Sequence, residues 1–202
     1  MSGLFITIEG GEGSGKSTLI ARLGSELDAV LTKEPGGTPL GIELRKILLH
    51  NETLDLQSRA ELFLFLADRA QHVETLIKPA LEQNKTVLCD RFTDSTIAYQ
   101  GLARNQPLDE LESLCKSAAG ITPHITLFID LDPKIGLERI HKKRGDFDRI
   151  EKETLDFHQK LREAFQFLAK REPERIHTLD GSKTPDEVFH DAYAIIAPYL
   201  NR

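Results

Sequence analysis

Five short apolar runs recur along the chain, and turn residues bound each of them. They cover 4–8, 29–32, 86–89, 125–129 and 175–179. Runs of this length are typical of strands that are buried in a parallel sheet. Longer segments with helical patterns separate them. The alternation predicts the three-layer α/β class, with a five-stranded parallel sheet flanked by helices.

The helical segments carry their own signals. An apolar stripe at roughly helical spacing runs from Leu155 to Leu168. Asp132-Pro133 predicts an N-cap followed by proline at the first helical position, and the segment 184–187 (Thr-Pro-Asp-Glu) predicts a capping box. Pro79 falls inside a helical pattern, so we expect a kink or break there.

Length and composition narrow the class of protein. A chain of 202 residues suits a single domain, 1–202, and the formal charge of −6 makes nucleic acid an unfavoured partner. No apolar run approaches the ~20 residues that a membrane-spanning helix needs, and the N-terminus lacks the basic region of a signal peptide. Cys89 and Cys115 form neither a disulfide framework nor a metal motif. We therefore expect a cytoplasmic protein with two reduced thiols.

The strongest chemical signal is a glycine-rich loop between the first apolar run and a helical pattern. Residues 10–17 match G-x-x-x-x-G-K-[ST] in full. The predicted ATP-binding residues are Gly10, Gly11, Glu12, Gly13, Ser14, Gly15, Lys16, Ser17 and Thr18. The alternative, a glycine-rich turn with an accidental Lys-Ser pair, is disfavoured by the strand–loop–helix context.

Each residue type in this loop has a physical purpose. Backbone N–H groups must approach phosphate oxygens closely, and a Cβ at Gly13 or Gly15 would obstruct that approach or forbid the required φ. We expect Lys16 to reach the β- and γ-phosphates and Ser17 to offer a hydroxyl to Mg²⁺. Thr18 is expected at the α-phosphate. The loop alone does not separate kinases from switches, motors or synthetases.

A second group of polar residues follows the run 86–89. Asp90-Arg91-Phe92 comes at a strand's carboxyl end, which places it beside the glycine loop in an open α/β sheet. Asp90 can hold Mg²⁺-bound water or assist an acceptor, and Arg91 can grip a phosphate. The alternative for Asp90 is a helix cap or a surface turn.

The chain resembles the thymidylate kinase family from residue 4 to about 195. The segments 32–38 (Thr-Lys-Glu-Pro-Gly-Gly-Thr) and 90–101 (Asp-Arg-Phe-Thr-Asp-Ser-Thr-Ile-Ala-Tyr-Gln-Gly) are similar to two of its signatures. Residues 64–69 resemble its base-binding helix, and residues 148–151 resemble the end of its lid. The resemblance implies transfer of phosphate from ATP to dTMP, giving dTDP, with Mg²⁺ as cofactor and a homodimeric assembly.

The resemblance also implies roles for single residues. Phe65 would stack on thymine, Arg69 would donate to the base O4, and Thr96 and Gln100 would line the base pocket. Tyr99 would pack against the sugar.

On the phosphate side, the resemblance implies that Arg45 and Arg91 hold the acceptor phosphate and that Glu12 approaches the 3′-hydroxyl. Asp90 and Ser17 would organise Mg²⁺. The resemblance of the loop 32–38 also implies that Pro35 contacts the substrate.

Structural explanations stand beside these roles. Phe65 lies on an apolar helical stripe and could be core, Tyr99 could be an ordinary half-buried tyrosine, and Arg45 could be a surface cation. Pro35 could belong to a turn. Arg69 favours function, because an arginine on an apolar face needs an anion or an acceptor.

A basic segment supplies candidates for a catalytic arginine. The predicted lid, at about 139–150, contains Arg139, His141, Lys142, Lys143, Arg144 and Arg149. The resemblance implies that the lid carries this arginine, since the glycine loop has none. Arg144 is the first candidate, Arg149 the second and Arg139 the third. Lys142 and Lys143 fit a solvated helix end.

Two other functions remain open. One is a P-loop kinase that acts on a different monophosphate. The other is a nucleotide-dependent switch, which the absence of an Asn-Lys-x-Asp guanine motif and the presence of a second phosphate grip disfavour.

Overall fold

All five predicted strands are present, with ends that differ from the prediction by at most one residue. The computed structural model describes residues 3–50, 54–104, 106–144 and 148–200. For Lys143 and Arg144 it describes only the backbone. The strands are β1 (Phe5–Glu9), β2 (Val30–Lys33), β3 (Val87–Asp90), β4 (Ile125–Asp130) and β5 (Ile176–Asp180).

Helices fill the segments between the strands. They are α1 (Lys16–Leu27), α2 (Pro39–Arg45), α3 (Ser58–His72), α4 (Lys78–Glu82), α5 (Thr93–Thr96), α6 (Leu108–Ala119), α7 (Pro133–Arg144), α8 (Leu155–Arg171) and α9 (Pro185–Leu200). Within the described ranges, three π-helical segments (Lys46–His50, Val73–Ile77 and Ile97–Gly101) and one 3₁₀ turn (Leu102–Arg104) extend or join them.

The sheet is parallel throughout, with strand order β2-β3-β1-β4-β5. From β1 the chain crosses to β2 at one edge, returns to place β3 between β2 and β1, and then continues on the other side of β1 through β4 and β5. Ligands of open α/β sheets bind where the strand order reverses, outside the carboxyl ends of the strands. Here that position lies beyond Glu9 and Asp90, which end β1 and β3.

Alternation along the central strand sorts its residues between the two faces. Ile6 and Ile8 pack with buried residues of α1 and α9, whereas Phe5 packs with Val73 and Phe92 on the opposite face. Successive side chains of a strand point to opposite faces, so Glu9 shares the face of Phe5. β1 therefore places the buried carboxyl group of Glu9 on the face of the sheet where Phe5 packs with Phe92, a residue of the turn after β3.

The predicted helix ends are confirmed. Thr184 and Glu187 form the reciprocal capping box, with each backbone N–H donating to the other's side chain at 2.9 and 3.3 Å. Pro133 begins α7, and Asp132 Oδ1 accepts from the Lys134 N–H at 2.8 Å. The expected break at Pro79 is absent, because the backbone stays helical from α3 through the π-helical segment Val73–Ile77 into α4, in which Pro79 is the second residue. Among the described residues, no helix is both long and apolar enough to cross a membrane.

Candidate active site

The glycine loop joins β1 to α1 as a left-handed turn. Gly13 and Gly15 have φ of 66° and 104°, a region that residues with a Cβ rarely adopt. A Cβ at Gly13 would also lie 2.1 Å from the Gly136 carbonyl oxygen of α7, whereas one at Gly15 would meet nothing within 4 Å. The two glycines are thus required for different reasons, one steric and conformational and the other conformational alone.

Lys16 is held inside this loop. Its ammonium group donates to the carbonyl oxygens of Gly10 and Gly11 at 3.0 and 2.8 Å. Burial and the nearby Arg91 guanidinium lower the pKa of Lys16. A buried cation held by two backbone carbonyls can be redirected to phosphate oxygens without moving far. Its predicted contact with the β- and γ-phosphates stays a prediction.

An open cleft of about 680 Å³ runs along the loop. It brings together Ser17 and Asp90, the two residues predicted to organise Mg²⁺. Asp90 Oδ1 is buried and has no hydrogen-bond partner among the described residues, so one carboxylate oxygen remains available. The described residues contain no group of three or more His, Cys, Asp or Glu that could hold a metal ion unaided. Oxygen donors from one hydroxyl and one carboxylate fit Mg²⁺ that a nucleotide's phosphates bring with them.

The turn after β3 directs Arg91 toward the glycine loop. Arg91 has φ of 69°, and its guanidinium donates to Glu12 Oε1 at 2.5 Å and to the Gly10 carbonyl at 3.1 Å. The Tyr99 hydroxyl donates to the same Glu12 oxygen at 2.6 Å. Burial opposes the charge on Glu12, but Arg91 and Lys16 outweigh it and lower its pKa to about 2. Glu12 is therefore an anion that holds Arg91 and Tyr99 at the mouth of the loop.

Glu9 was not predicted as a site residue. Its carboxyl group is fully buried, accepts the Phe92 N–H at 2.8 Å and contacts the Ser95 hydroxyl at 2.5 Å. Burial and the neighbouring Asp94 raise the pKa of Glu9 to about 8. The only signal in the sequence was an acid at the end of a buried strand. Through these hydrogen bonds Glu9 anchors the strained turn that carries Arg91.

A second cleft lies on the other side of Arg91. Its walls include Pro35, Arg45, Phe65, Arg69, Arg91, Thr96, Tyr99 and Gln100, which completes the predicted substrate set together with Glu12. Phe65 and Arg69 reach it from α3, and Thr96, Tyr99 and Gln100 reach it from α5 and the π-helical segment that follows. Side chains that are spread along the chain from residue 35 to residue 100 thus line one cleft.

Arg69 shows how this cleft is built. It is only 2% exposed, and its guanidinium donates to Glu34 Oε2 at 2.8 Å, while Nη1 has no hydrogen-bond partner among the described residues. Glu34 also contacts His72 Nδ1 at 2.9 Å. The sequence predicted an anion or acceptor for Arg69, and Glu34 supplies the anion. One free N–H group of Arg69, in a residue that lines the cleft, can still donate to a ligand.

Arg45 joins the two clefts, because it lines both. Its guanidinium donates to the Pro35 carbonyl at 2.9 Å, across a segment in which the Glu34–Pro35 peptide bond is cis. Arg45 and Arg91 therefore stand between the glycine loop and the second cleft. Two arginines at this point can grip an anionic group that lies between two ligands.

The predicted lid is described only in part. Residues 145–147 and the side chain of Arg144 lie outside the described residues. Arg139 lines the open cleft and donates to the Gly181 carbonyl at 3.3 Å. Arg149 instead donates to the Leu48 carbonyl at 2.8 Å and pairs with Glu61. The structure thus does not bring Arg149 to the glycine loop, and its role there stays a prediction that would require the guanidinium to leave Glu61.

Comparison with known proteins places this geometry in a family. A family model described as thymidylate kinase matches residues 8–192. The chain is 48% identical to the thymidylate kinase of Protochlamydia amoebophila, over 94% of this chain and 90% of that protein. It is 38% identical to the thymidylate kinase of Bacillus pumilus, over 100% and 99% of the two chains.

Solved structures agree. The crystal structure of thymidylate kinase from Ehrlichia chaffeensis matches with a TM-score of 0.80 and 32% identity, over 98% of this chain and 99% of that one. The sequence resemblance is therefore confirmed along almost the whole chain. The chain belongs to the thymidylate kinase family.

Proposed function

We propose that the chain transfers the γ-phosphoryl group of ATP to dTMP, giving dTDP, and that the two clefts on either side of Arg91 hold the two substrates. Family membership supports the reaction. The single observation that supports the assignment of the clefts is the position of Arg45 and Arg91. Both arginines line both clefts, where a donor and an acceptor phosphate would meet.

The glycine loop is the proposed ATP site. Its backbone N–H groups, the N-terminus of α1 and Lys16 would hold the phosphates of ATP, with Ser17 and Thr18 at the start of the helix. Ser17 and Asp90 would hold Mg²⁺, which fits the unpartnered Asp90 oxygen. When bound, Mg²⁺ would neutralise charge on the β- and γ-phosphates.

The second cleft is the proposed dTMP site. Phe65 offers a ring face to the base, and the free N–H of Arg69 can donate to the carbonyl O4 of thymine. The Tyr99 ring, over which the Arg91 guanidinium lies at 4.9 Å, would pack against the deoxyribose. Glu12, which accepts two hydrogen bonds at the mouth of the loop, would approach the 3′-hydroxyl.

The chemistry requires positioning and charge rather than a covalent intermediate. Arg45 and Arg91 would hold the dTMP phosphate in line with the γ-phosphate, and the closed site would exclude water. Arg144 is the proposed lid arginine for the charge that develops on the migrating group. We further propose one kinase domain over 1–202, a lid at about 139–150 that closes over the nucleotides, a homodimer and a cytoplasmic location.

An acceptor screen tests this proposal. ADP release with ATP as donor is measured for dTMP, dUMP, dGMP, AMP and UMP. We expect the highest kcat/KM with dTMP. A preference for AMP or UMP would contradict the assignment of the second cleft but leave a P-loop kinase. Tight GTP binding with no monophosphate acceptor would instead indicate a nucleotide-dependent switch.

A further inference from the structure

Glu61 is a buried acid for which the proposed chemistry has no use. It lies near the start of α3 and is only 2% exposed. Phe65 and Arg69 follow it at intervals of four residues, so all three share one face of the helix. That face lines the proposed dTMP cleft. A buried carboxylate needs compensating partners, and these partners indicate what it does.

The two oxygens of Glu61 are divided between two partners. Oε1 accepts from Gln100 Nε2 at 3.0 Å, and Oε2 accepts from the Arg149 guanidinium. Arg104 adds a second cation, with Nη2 3.9 Å from Oε1. An ionised carboxylate can only accept hydrogen bonds. The amide nitrogen of Gln100 must therefore face Glu61, and its carbonyl oxygen is the end left to meet a ligand.

The fixed orientation of Gln100 matters for base recognition. Gln100 lines the same cleft as Arg69, whose free Nη1 is a donor. Together they present one acceptor and one donor. Thymine offers the matching pair, a donor at N3–H and an acceptor at O4, whereas cytosine presents an acceptor at N3 and an amino donor at position 4. A reversed Gln100 amide would favour the cytosine pattern at N3.

We propose that Glu61 is a positioning residue for base specificity: it fixes the Gln100 amide with its carbonyl toward the base, and Arg149 holds the carboxylate in place. The proposal rests on the assignment of the second cleft to dTMP. Glu61 acts through Gln100 and touches no substrate. Glu61 would thus help to distinguish thymine from cytosine.

The variant Glu61→Gln separates this role from simple packing. Its side chain has nearly the same shape but only one oxygen, for which Arg149 and Gln100 compete. The cationic Arg149 takes that oxygen, because hydrogen bonds from charged donors are the stronger ones. The new amide nitrogen then faces Gln100, whose own amide must turn to accept from it. The carbonyl that would receive thymine N3–H is thereby replaced by an NH₂ group.

Equilibrium binding of dTMP and dCMP gives the readout. We expect Glu61→Gln to weaken dTMP binding at least about fivefold and to lower the dTMP-to-dCMP affinity ratio at least about tenfold, since a buried donor is left facing a donor. Glu153→Gln is the matched control. It removes a carboxylate that contacts Arg104 at 3.1 Å in the same region, and it should leave the ratio within about twofold of wild type.

A second variant keeps the test decisive. Gln100→Leu removes the amide and should also lower the ratio, and Glu61→Gln in that background should change it no further. A wild-type ratio in folded Glu61→Gln overturns the proposal, as does an additive effect in the double variant. Should Glu61→Gln fail to fold, a wild-type ratio in Gln100→Leu overturns it. Wild-type turnover of dTMP is measured separately, so failure of the proposed function is distinguished from failure of this inference.

Discussion

The two clefts of this kinase-family chain are built in opposite ways. The glycine loop is contiguous along residues 10–18 and combines backbone groups with the ammonium group of Lys16. The second cleft is assembled from side chains that come from α2, α3, α5 and the segments around them. Phosphate is common to many nucleotides and needs only backbone and charge, whereas a base has an individual pattern of donors and acceptors. The generic task is performed by local structure and the specific task by tertiary structure.

The side chains of the two clefts are also held in different ways. Around the glycine loop, Lys16 is held by two carbonyl groups, which can release it to a ligand. Around the second cleft, three of the lining side chains are each held by an acid: Glu34 holds Arg69, Glu12 holds Arg91, and Glu61 holds Gln100. A side chain that is fixed before binding lowers the entropy cost of binding. Variants that act on one cleft alone therefore test this difference.

The largest effect is expected from Lys16→Ala. Removal of the ammonium leaves the transferring phosphate without its charge partner, so turnover should fall to background for every acceptor. Lys160→Ala, which removes only a surface pair with Asp156, is the matched control and should retain activity. Coupled ADP release and circular dichroism are the measurements. Substantial turnover by folded Lys16→Ala would contradict the role of the glycine loop.

Arg144→Ala should act next most strongly and on kcat alone. An arginine that meets charge only in the transition state contributes about 10³-fold or more in related chemistry, and its loss leaves dTMP binding unchanged. Steady-state kinetics with dTMP as the varied substrate give kcat and KM separately. A nearly normal kcat would exclude Arg144 and make the same measurement on Arg149→Ala and Arg139→Ala the next step.

The smallest effect is expected from Glu9→Gln, as a change in the pH dependence of stability. The pKa of Glu9 is raised to about 8, so between about pH 4.5 and 8 the folded state holds a proton that the unfolded chain has released. Because the folded state binds more protons there, this group makes the free energy of unfolding fall as pH rises, by at most about 1.4 kcal/mol per pH unit. The variant lacks this loss, so its stability relative to wild type should increase from pH 5 to 8.

Urea unfolding at several pH values measures that difference. Glu187→Gln is a suitable control, since hydrogen bonds from Thr184 lower the pKa of Glu187 and its titration lies below this window. A difference between Glu9→Gln and wild type that stays constant from pH 5 to 8 would show that Glu9 is ionised in the folded state. It would then hold the Arg91 turn as an anion.

Features that depend on the local order of residues along the chain could be predicted from the sequence. Strand positions followed from short apolar runs, and the capping box at Thr184 and the glycine loop followed from spacing, because their hydrogen bonds join residues three to six positions apart. The base-binding residues came only from family resemblance, since Phe65 on an apolar stripe is compatible with a core position.

Which side chain each buried acid contacts depends on tertiary packing. Glu9 meets Ser95, Glu34 meets Arg69 and Glu61 meets Gln100 across separations of 86, 35 and 39 residues. No periodicity encodes such pairs, because each depends on how two elements pack rather than on either element's own pattern. The same reason explains why Arg149, expected at the phosphates, is bound to Glu61 instead.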